Sequence, residues 1–142
     1  MAKQLSVFIE NKEGMLKKVL NVLKVNDVNI LSLSLADTTE YGLLRLIVNN
    51  PELAREKLIE SGFSSMIAEV FIVKIPHKAG SLQEILELLA DASVNIEYMY
   101  ALTTDGIDAS IVIKTNNLEK VQRIADLNGI DTVTDEELVA LH

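Results

Sequence analysis

Two short loops carry the residue types best suited to holding a small charged molecule. They read Asn11-Lys12-Glu13-Gly14-Met15-Leu16 and His77-Lys78-Ala79-Gly80-Ser81-Leu82. In each, a polar lead precedes a glycine, and a leucine two residues later opens an apolar stripe. A helix start leaves backbone N–H groups unpaired and carries partial positive charge, so a carboxylate can be accepted there. Glycine lets a ligand approach the main chain and permits unusual dihedrals. Asn29 and Asn95 each supply an amide donor and a carbonyl acceptor, suited to an α-ammonium or a carboxylate. Ile30 and Ile96 follow them. A glycine before a helix and an asparagine before a strand are also ordinary turn residues, so the pattern matters only if it recurs.

It does recur. Shifting the sequence by 66 residues superposes Lys12, Gly14, Leu16, Leu20, Leu23, Val28, Asn29, Ile30 and Thr38 on Lys78, Gly80, Leu82, Leu86, Leu89, Val94, Asn95, Ile96 and Thr104. The six glycines pair in order: Gly14 with Gly80, Gly42 with Gly106, and Gly62 with Gly129. This is an internal duplication.

Each copy implies the same elements. A β-rich run, 5–9 or 70–75, precedes the glycine loop. Leu16, Val19, Leu20 and Leu23, like Leu82, Ile85, Leu86 and Leu89, follow helical spacing. Ser81 with Glu84 has capping-box spacing at the second of these helices. Strands are expected over 28–36 and 94–102, with turns at Gly42 and Gly106 leading into two more. A second helix is expected from Pro51 to Gly62, and from Asn117 to Gly129. Short strands near 65–69 and 131–134 close the copies, and the tail reads as a short helix. The expected fold is α+β: two ferredoxin-like βαββαβ units in tandem, spanning 1–69 and 70–142, with antiparallel sheets and helices on one face. Units this small are marginal alone, so they should bury surface against each other or against a second chain.

Composition narrows the function. Of 142 residues, 49% are hydrophobic and 24% charged, a globular balance. A net charge of −8 disfavours nucleic acid and anionic membranes as partners. No stretch reads as a signal peptide or membrane span, so a cytoplasmic location is expected. Cysteine is absent and only two histidines occur, His77 and His142, with no companion ligands nearby. Neither a metal nor a cofactor is expected. No nucleophile–base pair or phosphate loop is visible, so an enzyme is not expected. RNA-recognition domains share the βαββαβ order, but here the third strands, "LLRLIV" and "ASIVI", lack the aromatic platform.

The twin glycine loops, with "VNI" opening the next strand in both copies, resemble the ACT domain. The resemblance spans nearly the whole chain as two tandem copies, although both loops lack the usual proline and leading aspartate. It implies a free-standing regulatory protein that binds a free amino acid at an interface between ACT domains. The implied ligand-binding set is Asn11, Glu13, Gly14, Met15, Leu16, Asn29, Ile30, His77, Ala79, Gly80, Ser81, Leu82, Asn95 and Ile96. A homodimer is the implied assembly, and a separate metabolic enzyme is a candidate partner. The alternative is a protein-interaction adaptor, or regulatory subunit, that binds no ligand. Ser32 and Ser34 align with Tyr98 and Tyr100, so the two sites should not be equivalent.

Overall fold

A computed structural model describes residues 1–37, 40–76, 78–102 and 109–140. The expectations placed on His77, His142, Thr38, Thr104 and the Gly106 turn lie outside the described residues. The elements are β1 (Ala2–Glu10), α1 (Met15–Val25), β2 (Ile30–Asp37), β3 (Tyr41–Val48), α2 (Pro51–Glu60), β4 (Ser64–Ile75), α3 (Ser81–Asp91), β5 (Ile96–Leu102), β6 (Ala109–Thr115), α4 (Leu118–Asn128) and α5 (Asp135–Ala140).

The chain divides into two compact units. The N-terminal unit holds Lys3–Ala68 together with the residues from Glu136 onward; the C-terminal unit holds Glu69–Asp135 with Met1 and Ala2. The tail helix, assigned by repeat counting to the second copy, thus groups with the first. A six-residue helix cannot stand alone, and α5 buries Leu138.

In the N-terminal unit the strands run in the order β2-β3-β1-β4. The β1–β3 and β2–β3 pairs are antiparallel. Alternate residues of β1 (Leu5, Val7, Ile9) and β3 (Leu44, Leu46, Val48) share a core with Val19 and Leu23 of α1 and Ala54 and Leu58 of α2. The period-two strands and the i, i+4 helix positions are what bring these side chains to one layer. The C-terminal unit repeats the plan with the order β4-β6-β5, again antiparallel. Its core joins Phe71, Val73, Ile75 and Ile113 to Ile85, Leu89, Val121 and Ala125.

Two strand expectations change. The runs expected at 65–69 and 70–75 form one strand, β4. No glycine or proline interrupts 64–75, so nothing stops the ladder until Pro76. The closing strand expected at 131–134 is reduced to a single bridge between Val73 and Thr132. It is flanked by Lys74 N–H donating to Asp131 O (2.9 Å) and Val133 N–H to Ile72 O (2.9 Å).

The duplication extends to fine backbone detail. β2 and β5 have a register irregularity at matching places, Ile30/Ser32 and Ile96/Tyr98. Asp27 (φ 56°) and Ser93 (φ 60°), 66 residues apart, both take the left-handed conformation just after a helix. There, Val28 N–H donates to Leu23 O and Val94 N–H to Leu89 O, each at 2.9 Å. This is how α1 and α3 stop without a glycine.

Candidate functional site

Among the described residues, the twin loops share the same backbone bonds after their first position. Lys12 N–H donates to Glu10 O (2.9 Å) and Lys78 N–H to Pro76 O (2.8 Å). Met15 N–H reaches Lys12 O at 3.4 Å, and Ser81 N–H reaches Lys78 O at 3.3 Å. Gly14 (φ 81°) and Gly80 (φ 85°) are the N-caps of α1 and α3, both left-handed. A Cβ at either would meet nothing within 4 Å. Glycine is required here for its dihedral, not for want of room, and the space beside it is open.

A glycine cap has a chemical consequence. It offers no side-chain oxygen, and neither α1 nor α3 has a side-chain cap. The other long helices are capped by asparagine. Asn50 Oδ1 accepts from Leu53 N–H (3.2 Å), and Asn117 Oδ1 from Lys120 N–H (3.1 Å). Each unit therefore has one helix capped by its own asparagine and one whose cap residue offers the first turn no side-chain acceptor.

The capping box expected of Ser81 and Glu84 is not formed. Gly80 takes the cap position, so Ser81 already lies inside the helix. Its hydroxyl is buried and has no hydrogen-bond partner among the described residues, and the residue is 5% exposed. A buried hydroxyl left unpaired costs about 1–3 kcal/mol. At the matching place in α1 stands Met15, packed against the apolar core.

The remaining candidates fall into three groups. Asn11, Glu13 and Ala79 are exposed in the loops, with Asn11 N–H donating to Glu40 O (3.1 Å). Leu16 and Ile30 pack on the N-terminal core, and Leu82 and Ile96 on the C-terminal one. Asn29 and Asn95 are exposed just beyond the C-terminal ends of α1 and α3. Asn29 exchanges bonds with Asn49: its N–H donates to Asn49 Oδ1 (2.9 Å), and its carbonyl accepts from Asn49 N–H (3.1 Å). An 11-residue helix separates Gly14 from Asn29 and Gly80 from Asn95, about 16 Å at 1.5 Å per residue. Neither unit brings its own loop and its own asparagine together.

β5 carries a feature that β2 lacks. Tyr98 and Tyr100 are stacked, with ring centroids 6.5 Å apart and planes at 17°, where β2 has Ser32 and Ser34.

One surface was missed from the sequence. An open groove of about 930 Å³ in the N-terminal unit is lined by Gly14 and Met15, by Lys17, Lys18, Asn21 and Lys24, and by Ser61, Gly62 and Phe63 among others. Its signal was present: Lys17, Asn21 and Lys24 have i, i+4, i+7 spacing on the polar side of α1. Among the described residues no group of three or more His, Asp or Glu side chains could hold a metal ion, and no helix is long and apolar enough to cross a membrane.

Two ferredoxin-like units in tandem, each with a glycine-capped first helix, define a class of paired α+β domains. The chain belongs to the ACT domain pair family, whose profile matches residues 1–142. A crystal structure of a protein from Bacteroides thetaiotaomicron is similar at 33% identity, covering 97% of this chain and 95% of that one, with a TM-score of 0.91. The regulatory subunits of aspartate kinase from Thermus thermophilus and Thermus flavus share the fold. They are 17% and 16% identical, with TM-scores of 0.60 and 0.58. Each comparison covers 88% of this chain, and 91% and 90% of theirs. No curated protein matches the chain.

Proposed function

We propose that this chain is an amino-acid-binding regulatory protein of amino-acid metabolism, acting as a cytoplasmic homodimer. The observation that carries the reading is the start of α3. Its cap lacks a side-chain acceptor, the space beside Gly80 is open, and the Ser81 hydroxyl is buried and unpartnered. A ligand carboxylate would accept from first-turn N–H groups, and from Ser81 Oγ once rotation about χ1 turns the buried hydroxyl toward the open side of the loop. The ammonium partner would be an asparagine of the Asn29 or Asn95 type from another ACT unit, since a helix length separates loop and asparagine within each. Membership of the ACT domain pair family supports the regulatory role. The regulated partner would be a separate enzyme.

The test is thermal unfolding against a panel of free amino acids. A ligand at about 100 times its dissociation constant stabilises the folded state by ~2.7 kcal/mol. For a chain of this size that raises the melting temperature by roughly 5–10 °C. Ser81→Ala should shrink the shift while leaving the unliganded protein as stable or more so, because it removes an unpaired buried hydroxyl. No shift with any amino acid, or a full shift retained by Ser81→Ala and by Gly14→Val with Gly80→Val, would overturn the reading.

A further inference from the structure

The groove along α1 is basic on a chain whose net charge is −8. Lys17, Lys18 and Lys24 are all exposed. None forms an ion pair among the described residues, whereas Lys3, Lys12 and Lys57 pair with Glu52, Glu10 and Glu60. Half-buried apolar side chains, Met15, Leu20, Val22 and Phe63, line the same groove. An open trough lined by both apolar and cationic side chains suits an elongated element better than a small molecule, which favours an enclosed pocket.

The duplicated helix carries the opposite charge. Shifted by 66 residues, Lys18 becomes Glu84, Asn21 becomes Glu87 and Val25 becomes Asp91, while Lys17 and Lys24 become Gln83 and Ala90. Glu84, Glu87 and Asp91 are exposed and have no cationic partner among the described residues. The three follow i, i+3, i+7 spacing on one face of an 11-residue helix. Both faces are solvent-facing in the folded chain, so each is available to a second molecule.

We propose that the basic α1 groove of one copy receives the acidic α3 face of a second copy. The two surfaces are different, so a two-fold dimer would use the contact twice, and a contact made once would be heterologous. Exposed ion pairs are individually weak, so the association depends on several of them together with the apolar lining and is sensitive to salt. The proposal does not rest on amino-acid binding.

Sedimentation velocity of the full chain, without added ligand, tests it at about 0.02 M and about 0.5 M salt, where the screening length changes several-fold. The expected result is a larger species at low salt that loses one association step at high salt. Lys17→Glu with Lys24→Glu should weaken that step by at least about tenfold, and so should Glu84→Lys with Glu87→Lys. Mixing the two double variants in equal amounts should restore it, because each supplies the complement the other lost. Arg55→Glu with Arg123→Glu makes the same change in net charge as the lysine pair on other helices and should leave the step intact. Circular dichroism checks that each variant is folded. The proposal is overturned if no salt-sensitive step exists, if the arginine control abolishes it equally, or if the mixture fails to associate.

Discussion

Leu23 and Leu89 occupy the same place in the two repeats, and both are almost fully buried, at 1% and 2% exposure. One residue further along, Lys24 and Ala90 share nothing. That contrast runs through the molecule. Leu5, Val7 and Ile9 correspond to Phe71, Val73 and Ile75 in the two cores, and Ala54 and Leu58 correspond to Val121 and Ala125. Exposed positions have diverged: Lys17, Lys18 and Lys24 stand against Gln83, Glu84 and Ala90. A close-packed interior penalises change at every methylene, while an exposed position tolerates most substitutions within about 0.5 kcal/mol. The duplicated chain therefore kept two copies of one fold and was free to give each a different surface.

The strongest way to break this comparison is to excavate both cores. Leu23→Ala and Leu89→Ala should each cost about 2–5 kcal/mol, from lost transfer energy and the cavity left behind. Urea denaturation of the two variants measures it. A loss well below this at one site would show that the two cores are not energetic equals.

A finer probe uses the caps. Asn50→Ala and Asn117→Ala should each cost about 1 kcal/mol, since each removes the acceptor for a first-turn N–H. Equal losses in urea midpoints would show that the caps survived duplication as working parts. They would also sharpen the contrast with the glycine-capped helices, which have no side-chain cap to lose.

The smallest effect separates the repeats electrostatically. Glu52 lies at the start of α2, and Lys3 bonds to its carboxylate. The Lys3 hydrogen bond holds the Glu52 pKa below its ordinary 4.5, aided by the backbone. The corresponding positions in the second repeat are Glu69 and Glu119, so this pair has no counterpart there. A carboxylate whose pKa is depressed on folding stabilises above its unfolded value and loses that contribution as pH falls through its folded one. Glu52→Gln should therefore cost a few tenths of a kcal/mol at neutral pH, as exposed pairs do. The difference from wild type should fade as pH drops below about 4.5. A difference that grows on acidification would contradict the assignment.

Much of this was legible in the chain itself. Local rules act within a few residues, so the sequence alone identified the duplication, the helix stripes at Leu16–Leu23 and Leu82–Leu89, the proline start at Pro51 and the glycine stop at Gly129. It also singled out Gly14 and Gly80, through their recurrence in the duplicated loop, while their left-handed cap geometry is visible only in the backbone. Ser81 was misread by one position: capping-box spacing is equally satisfied whether the serine caps the helix or begins it, and only the backbone at Gly80 decides. The unbroken β4 was hidden by counting repeats, although the absence of any breaker from 64 to 75 was in plain view. What no local rule reaches is placement at a distance. The grouping of α5 with the N-terminal unit, the burial of the Ser81 hydroxyl and the gathering of Gly14 and Lys24 with Gly62 and Phe63 into one groove each depend on contacts between residues far apart in sequence. Those contacts are set by which apolar faces bury together, and a hydrophobic residue shows that it will be buried without showing against what.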